Sequence, residues 1–305
     1  MNPAPGAADP SASGGTSKET PAGVRQGFTA SDEARQAVQG SGVQYVYFGE
    51  GRPAAVSVSA EPPWGQRDET RPVRGRERLL ADLAGGTGSV WVVCGLGGCG
   101  KTRLALEAAF AARQAGVLVW WVSAAEEGVL EAGMQAVGRR LGVPEADLEH
   151  SDAADVIWAH LAGWPQRWLL VLDNADDPPV LAGAATALAD GRGWLRPVTN
   201  SAGMVLVTSR DGRPEAWGSW CRRVRLGMLP GEQAAAVLAD HAGHQAELGS
   251  EQDARELAMR LGCLPLALRI AGLYLAESAA IPAAFADETR MLTGPSSAGP
   301  GMTVG

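Results

Sequence analysis

The chain has very little lysine and no surplus of positive charge. Of its 26 basic residues only two are lysine, Lys18 and Lys101, and the formal net charge of the 305 residues is −8. A protein that coats nucleic acid through phosphate contacts needs a basic surface, so this balance argues against nucleic acid as a partner. The sequence also lacks the roughly 18 consecutive apolar residues of a membrane span and the basic head and apolar block of a secretory signal. These absences exclude a transmembrane protein and predict a cytoplasmic location with no membrane association.

Cysteine is also scarce. The four cysteines, Cys94, Cys99, Cys221 and Cys263, form no C-x-x-C pair. This spacing is typical of free thiols in a reducing compartment. Because the chain otherwise uses arginine, the lysine retained at position 101, in the part that we expect to fold, indicates a site where arginine cannot substitute.

Composition divides the chain into four regions. Residues 1–68 are rich in Ala, Gly, Pro and Ser and are expected to be disordered, apart from a hairpin at 43–58. Residues 69–229 alternate short apolar runs with helical patterns. Residues 230–292 show only helical patterns, which predicts a small all-α domain, and residues 293–305 are expected to form a disordered tail.

The second region predicts a doubly wound α/β fold. Five short apolar runs, separated by segments long enough for crossover helices, indicate a mostly parallel five-stranded sheet. Strands are predicted at Val90–Cys94, Val117–Val122, Trp168–Leu172, Met204–Val207 and, from a weaker pattern, Val224–Leu226. Helices are predicted at 103–110, 153–164 and 179–189 in this region, and at 232–241, 251–261 and 264–279 in the all-α domain.

The strongest motif is Gly95–Thr102, which fits G-x-x-x-x-G-K-[ST] between a predicted strand and a predicted helix. Glycines let the backbone approach phosphates closely, and the following helix adds its positive N-terminal end. Lys101 would reach the β- and γ-phosphates, and Thr102 would ligate Mg²⁺. The other predicted nucleotide-binding residues here are Gly95, Gly97, Gly98, Cys99, Gly100 and Arg103. A chance match in a chain with 40 glycines is the alternative, but the flanking elements and the retained lysine favour a P-loop NTPase domain at 69–229.

The apolar run at 168–172 ends in Asp173, which has the pattern of a Walker B element. On a strand beside the phosphate loop, this carboxylate would hold Mg²⁺; the alternative is a strand that ends in a solvated acidic turn. Asn174 stands where many P-loop ATPases carry a second carboxylate. An amide orients water but cannot take its proton, so we expect slow hydrolysis. Asp176 and Asp177 follow, and a simple turn explains them equally well.

The run at 204–207 ends in Thr208-Ser209-Arg210. At the carboxyl end of its strand, Arg210 would face the γ-phosphate and sense its presence. The alternative is a surface cation with no such role.

The order of these motifs resembles the NB-ARC type of STAND P-loop ATPase. Val73–Glu77 is similar to the V-G-R-E segment of that family, with Arg74 as an extra residue. Thr208–Arg210 resembles its T-T/S-R sensor, Leu226–Ala234 its first segment of the helical domain, and Leu261–Ala267 its G-G-L-P-L-A box. The resemblance covers about three quarters of the chain.

The resemblance implies that Val73 lies over the adenine and that Pro265 packs on the nucleotide. Pro265 is equally explained as an ordinary helix start. Cys263 stands at the position where the box of the family has its second glycine. The family usually continues into a winged-helix domain and sensor repeats, but this chain stops first, and His241 and His244 come too early to be the winged-helix histidine.

The family's activity implies a regulatory switch that binds ADP or ATP with Mg²⁺ and hydrolyses ATP slowly. The arginine, alanine and glycine bias is typical of a GC-rich bacterium, so we expect a role in bacterial signalling, transcriptional regulation or defence. The expected partners are the nucleotide and either another protein or sensor domains absent from this chain, with oligomerisation in the ATP state. Two other functions stay open: a degenerate module that holds ADP as a structural cofactor for protein–protein interaction, and a conventional ATPase or kinase.

Overall fold

The computed structural model describes residues 59–150, 152–183, 187–243 and 250–279, and the backbone of 34–40 and 43–48. The latter two segments form an antiparallel hairpin of strands β1 (Ala34–Gly40) and β2 (Val43–Phe48). The sequence predicted a hairpin that pairs 43–48 with 55–58, but the structure pairs 43–48 with the preceding segment, and 55–58 lies outside the described residues. Only two residues separate β1 from β2 along the chain, so their pairing needs a shorter loop than a pairing of 43–48 with 55–58 would need.

Five parallel strands form the central sheet, as the sequence predicted. Their spatial order is β4-β5-β6-β3-β7, and every neighbouring pair is parallel. The strands are β3 (Ser89–Cys94), β4 (Leu118–Ser123), β5 (Trp168–Asp173), β6 (Gly203–Ser209) and β7 (Cys221–Arg225). β6 lies between β5 and β3, so one strand separates the strand that ends in Asp173 from the strand that leads into the phosphate loop.

Helices cover both faces of this sheet. They are α1 (Glu77–Ala84), α2 (Lys101–Gln114), α3 (Glu127–Arg140), α4 (Glu145–Leu148) and α5 (Ala153–Gly163). Side chains of a strand alternate between faces. Leu170 and Leu172 therefore pack in one core cluster with residues of α3 and α5, whereas Leu169 and Val171 pack in a second cluster with residues of α2. Burial on both faces explains the nearly continuous apolar runs.

The prediction of a helix at 179–189 is wrong for the residues of this range that the structure describes. Short 3₁₀ turns at Pro178–Ala182 and Leu188–Asp190 stand in its place, and 184–186 lie outside the description. Gly183, which ends the first turn, has φ +70°, a backbone conformation that does not continue a right-handed helix.

The boundary predicted at residue 69 is too late, because 59–68 pack against the sheet domain. The backbone N–H of Trp121 donates to the carbonyl of Ala60 at 2.9 Å, and Ala60 is buried. The ring of Trp64 meets that of Phe110 edge-on with centroids 6.3 Å apart. These apolar and aromatic contacts supply the burial that the average composition of residues 1–68 does not suggest.

Three helices follow the sheet: α6 (Gly231–Ala242), α7 (Glu251–Arg260) and α8 (Pro265–Ala279). They enclose a small core that includes Ala234, Leu238, Ala258 and Leu268. At Gly272, a Cβ would lie 2.5 Å from the Cβ of His241, so α8 approaches α6 closely there. Among the described residues, no helix is both long enough and apolar enough to span a bilayer.

Candidate functional site

A cavity of about 1020 Å³ opens where the carboxyl ends of the strands meet the segment before α1 and the start of α8. Among the described residues that line it, eight side chains are cationic and two are acidic. The cations are Arg67, Arg71, Arg74, Arg76, Lys101, Arg103, Arg210 and Arg269, and the acids are Asp68 and Asp176. In a chain of net charge −8, this lining marks a local site for an anion.

The phosphate-loop motif forms a tight bend between β3 and α2. Gly98 and Gly100 have φ values of +77° and +96°, a region that side chains other than glycine rarely adopt. Gly100 caps α2, whose 14 residues begin at Lys101. The positive end of this helix therefore points at the loop, as an anion site requires.

Lys101 holds its ammonium group against its own loop. Its Nζ donates to the carbonyl oxygens of Gly95 and Leu96, both at 2.9 Å. An ammonium group has three N–H donors, so a third remains for an anion in the cavity. This compact geometry is a physical reason for lysine at a position where the chain's usual arginine would present a wider planar group.

Thr102 and Asp173, the two predicted Mg²⁺ ligands, are in contact. The Thr102 hydroxyl donates to Oδ1 of Asp173 at 3.0 Å, and the Thr208 hydroxyl donates to the same oxygen at 2.5 Å. Burial raises the pKa of the Asp173 carboxyl above its usual range, against the lowering effect of these hydrogen bonds. A hydroxyl and a buried carboxylate are the hard oxygen donors that Mg²⁺ prefers, so this pair fits such an ion.

Thr208 is a site residue to which sequence reasoning assigned no separate role. Besides its bond to Asp173, its Oγ1 accepts the backbone N–H of Asn174 at 2.9 Å. It is almost completely buried at the carboxyl end of β6. The available signal was its place in the polar trio that ends the apolar run of this strand.

Asn174 lies at the cavity with an exposed side chain and a φ of +64°. Asparagine adopts this left-handed conformation more readily than most residues with a side chain. The backbone turn after β5 is thus a second physical reason for asparagine here, beside the predicted role in orienting water.

The structure brings Arg210 to the cavity, as expected, but pairs it with a carboxylate. Its Nε donates to Oδ2 of Asp176, and its backbone N–H donates to Oδ1 at 2.7 Å. The side chain of Arg210 is 67% exposed and that of Asp176 is 18% exposed. Arg210 therefore meets a competing anion of its own chain.

Arg103 contacts the segment before α1. Its Nη2 donates to the carbonyls of Asp68 and Arg71 at 2.6 and 3.0 Å, and it forms an ion pair with Glu107 at 2.8 Å. Arg103 also lines the cavity, and its Nη1 is buried with no hydrogen-bond partner among the described residues. It thus fastens this segment to α2 and leaves one buried donor unsatisfied.

The start of α8 lies on the phosphate loop. The backbone N–H of Leu266 donates to the carbonyl of Gly98 at 3.1 Å, and a Cβ on Gly100 would lie 4.0 Å from Pro265. Val73 and Pro265, the predicted adenine-side residues, both line the cavity. The helical domain therefore closes one side of the site.

His241, on α6, also reaches the cavity. Its Nδ1 is buried with no hydrogen-bond partner within the described part of the chain. Burial lowers the pKa of this imidazole, and the neighbouring cations Arg71 and Arg269 act in the same direction. His244 lies outside the described residues.

Comparison with known proteins gives a curated relative and several solved structures. No protein-family model matches the chain. A nucleotide-binding leucine-rich repeat (NLR)-like protein from Hyaloscypha variabilis is 29% identical over 194 residues, which are 61% of this chain and 20% of that protein. The chain therefore spans about one fifth of the length of this relative.

The solved structures are more distant. A Signal Transduction ATPase with Numerous Domains (STAND) protein with a tetratricopeptide repeat sensor, from Pyrococcus horikoshii, has 20% identity and a TM-score of 0.42, over 70% of this chain and 31% of its own. Cdc6p from Pyrobaculum aerophilum has 16% identity and a TM-score of 0.46, over 72% and 64%. Drosophila ORC bound to DNA has 17% identity and a TM-score of 0.43, over 66% and 55%. The chain is similar in its sequence motifs to the NB-ARC and STAND type of P-loop NTPase and in overall sequence to a nucleotide-binding NLR-like protein, and its sheet has an α/β fold.

Proposed function

We propose that this chain is a nucleotide-operated switch. It binds ADP or ATP with Mg²⁺ in the cavity between the sheet and the helical domain, hydrolyses ATP slowly, and couples the state of the nucleotide to the angle between the two domains. The observation that carries this proposal is the bend of Gly95–Thr102 over the start of α2, with Lys101 held at its mouth in a cationic cavity.

Each part of the site has a role in this proposal. The loop amides and Lys101 bind the phosphates, and Val73 and Pro265 enclose the adenine side. Thr102 and Asp173 would hold Mg²⁺, which supplies charge neutralisation for the phosphate oxygens when it is bound. The raised pKa of Asp173 supports this role, because a bound cation would stabilise the ionised carboxylate that burial disfavours.

The contact between the phosphate loop and α8 supports the coupling. The backbone N–H of Leu266 donates to the carbonyl of Gly98, so a movement of the loop on binding or loss of the γ-phosphate would displace or break the contact with the first turn of α8. A ligand shifts a conformational equilibrium only through contacts that differ between the states. The γ-phosphate is the group that differs between ATP and ADP, and this loop is where it would lie.

Slow hydrolysis follows from Asn174. Its amide cannot accept a proton from water, and the neighbouring Asp173 is engaged by two hydroxyl groups. We therefore expect a regulatory protein rather than a conventional ATPase or kinase. As part of the same proposal, it acts in the bacterial cytoplasm in signalling, transcriptional regulation or defence, through a protein partner or further sensor domains, and oligomerises in the ATP state.

Nucleotide titration of the full chain tests the proposal. Lys101→Ala should weaken the binding of Mg-ADP and Mg-ATP at least tenfold in isothermal titration calorimetry, which corresponds to about 1.4 kcal/mol. Lys18→Ala, which changes the only other lysine, is the matched control and should bind like the parent. Equal binding by Lys101→Ala and the parent would contradict the proposal.

The observed closure favours one other function, a module that holds ADP permanently. The bond from Leu266 to Gly98 covers part of the phosphate loop and would slow nucleotide release. Mass spectrometry of the nucleotide released on denaturation, before and after incubation with excess Mg-ATP, separates the two functions. A switch exchanges its ADP for ATP during the incubation, whereas a structural cofactor stays in place.

A further inference from the structure

Two adjacent carboxylates follow Asn174, and the structure gives them different surroundings. Asp176 lines the cavity and accepts two hydrogen bonds from Arg210, one from the backbone N–H and one from Nε. Asp177 is exposed and makes no side-chain capping bond at the 3₁₀ turn that it precedes. The backbone carbonyl of Asp177 accepts the N–H of Val180 at 3.1 Å, so Asp177 takes part in the turn through its backbone, and the pairing of the Asp176 side chain is a separate feature.

From this pairing we propose that Asp176 sets the preference of the site for ADP over ATP. Its carboxylate occupies Arg210 in place of the γ-phosphate, so ATP gains less from this cation than it would from an unpaired one. ADP has no γ-phosphate and loses nothing. The inference rests on the proposed function and adds to it a residue that determines specificity between the two nucleotides.

The backbone places Asp176 for this role. The strand β5 ends at Asp173, and the left-handed φ of Asn174 turns the chain, with the N–H of Asp176 donating to the carbonyl of Asn174 at 2.9 Å. The N–H of Ala175 bonds the carbonyl of Thr208 at 2.8 Å, which holds the turn against the end of β6. Asp176 therefore meets the residue two positions beyond Thr208, which is Arg210.

Electrostatics gives the direction of the effect. Carboxylate and phosphate oxygens bind a guanidinium group through the same donors. With Asp176 in contact, the pair presents a net charge near zero toward the position of a γ-phosphate. Because Arg210 is 67% exposed, the pair contributes little to folding stability, and its removal should leave the fold intact.

The test compares the affinities of the full chain for Mg-ADP and for a non-hydrolysable Mg-ATP analogue. Asp176→Asn keeps an oxygen acceptor for the N–H of Arg210 but removes the charge. We expect it to raise the affinity for the ATP analogue about threefold to fivefold relative to ADP, the upper part of the range expected for an exposed ion pair. Asp177→Asn is the matched control and should leave the ratio of affinities unchanged.

A second background separates pairing from a general charge effect. Removal of any nearby carboxylate could strengthen binding of both nucleotides, because both are anions. In the Arg210→Gln background, Asp176→Asn should therefore change the ratio of affinities less than it does in the parent, since the cation that it releases is gone. Arg210→Gln alone should lower the affinity for the ATP analogue more than that for ADP.

The outcomes separate the role of Asp176 from the nucleotide binding of the whole site. If the parent binds both nucleotides and Asp176→Asn leaves their ratio unchanged, or changes it equally in the Arg210→Gln background, the role of Asp176 is refuted and the switch stands. If the parent binds neither nucleotide, the proposed function fails and this inference fails with it. Circular dichroism of each variant checks that the fold is retained.

Discussion

An ion pair joins the helical domain to the segment before α1. Removal of this ion pair tests whether it holds the helical domain against that segment. Asp240, on α6, accepts hydrogen bonds from Nε and Nη2 of Arg74, the latter at 2.8 Å. The Nε of Arg71 donates to the backbone carbonyl of the same aspartate at 2.8 Å. Arg74 is the residue that the V-G-R-E pattern lacks, so its side chain adds a connection between domains that the pattern does not contain.

The geometry sets the expected magnitude. The side chains of Arg74 and Asp240 are 34% and 20% exposed, so the pair is neither fully solvated nor buried. Exposed pairs contribute about 0.2–1 kcal/mol, and hydrogen bonds to charged groups contribute about 1.5–3 kcal/mol when they are well shielded. A bidentate, half-shielded pair lies between these ranges, and we expect a coupling energy of about 1–2 kcal/mol.

A double-mutant cycle measures this coupling. The parent, Arg74→Gln, Asp240→Asn and the double variant are unfolded in urea and followed by far-UV circular dichroism. This signal includes the helices of the helical domain, whereas all ten tryptophans precede Gly231 and tryptophan fluorescence would not report on that domain directly. The cycle isolates the pairwise free energy from the effects of each single change.

The matched control is the ion pair of Arg255 and Glu232 within the helical domain. Its side chains are 39% and 77% exposed, so its coupling should lie in the range of about 0.2–1 kcal/mol for exposed pairs, below that of the more shielded pair. A coupling for Arg74 and Asp240 no larger than that of the control would refute the view that this pair holds the domains together.

Three further results are expected. Asp173→Asn should raise the midpoint of thermal unfolding at pH 7, because burial raises the pKa of this carboxyl and so destabilises its ionised form. Each unit by which the pKa is raised corresponds to about 1.4 kcal/mol of folding free energy. The gain in stability should vanish at a pH where Asp173 is protonated in both the folded and the unfolded state. Gly98→Ala should lower the midpoint of thermal unfolding, since the φ of Gly98 is +77° and the new Cβ would lie 2.8 Å from the Cβ of Leu266. The left-handed conformation alone costs about 1–2 kcal/mol. Gly97→Ala is the control: its new Cβ meets open space, so this change should be nearly neutral. Asn174→Asp should raise steady-state ATP hydrolysis at least tenfold by supplying a general base, and an unchanged rate would show that this position does not limit turnover.

The sheet could be predicted where burial on both faces leaves a continuous apolar run. β3, β4, β5 and β6 all have this pattern. β7 was predicted only in part, at 224–226 rather than Cys221–Arg225, because it is an edge strand in which Arg222, Arg223 and Arg225 interrupt the apolar signal. The hairpin partner and the 3₁₀ turns after β5 were missed because short turns depend on local backbone geometry, which apolar periodicity does not report.

The candidate site was predictable where a motif marks the residues. The bend of the phosphate loop lies within one contiguous motif, and Thr102 and Asp173 were both predicted as Mg²⁺ ligands because parallel strands bring their carboxyl ends to one edge of the sheet. The ion pair of Arg210 with Asp176 was not predictable, because the two residues are 34 positions apart and meet only once β5 and β6 are neighbours. The sequence order likewise contains no signal that Arg74 would reach a residue on α6.

Hydrogen–deuterium exchange of the loop amides tests the central claim most directly. If the N–H groups of residues 95–102 bind the phosphates of a nucleotide, addition of Mg-ADP at a concentration that half-saturates the parent should slow their exchange in the parent and slow it much less in Lys101→Ala. Slower exchange should also be found at the start of α8, which contacts the loop. Exchange at 95–102 that does not respond to nucleotide in the parent would contradict the claim that this bend is a phosphate-binding site.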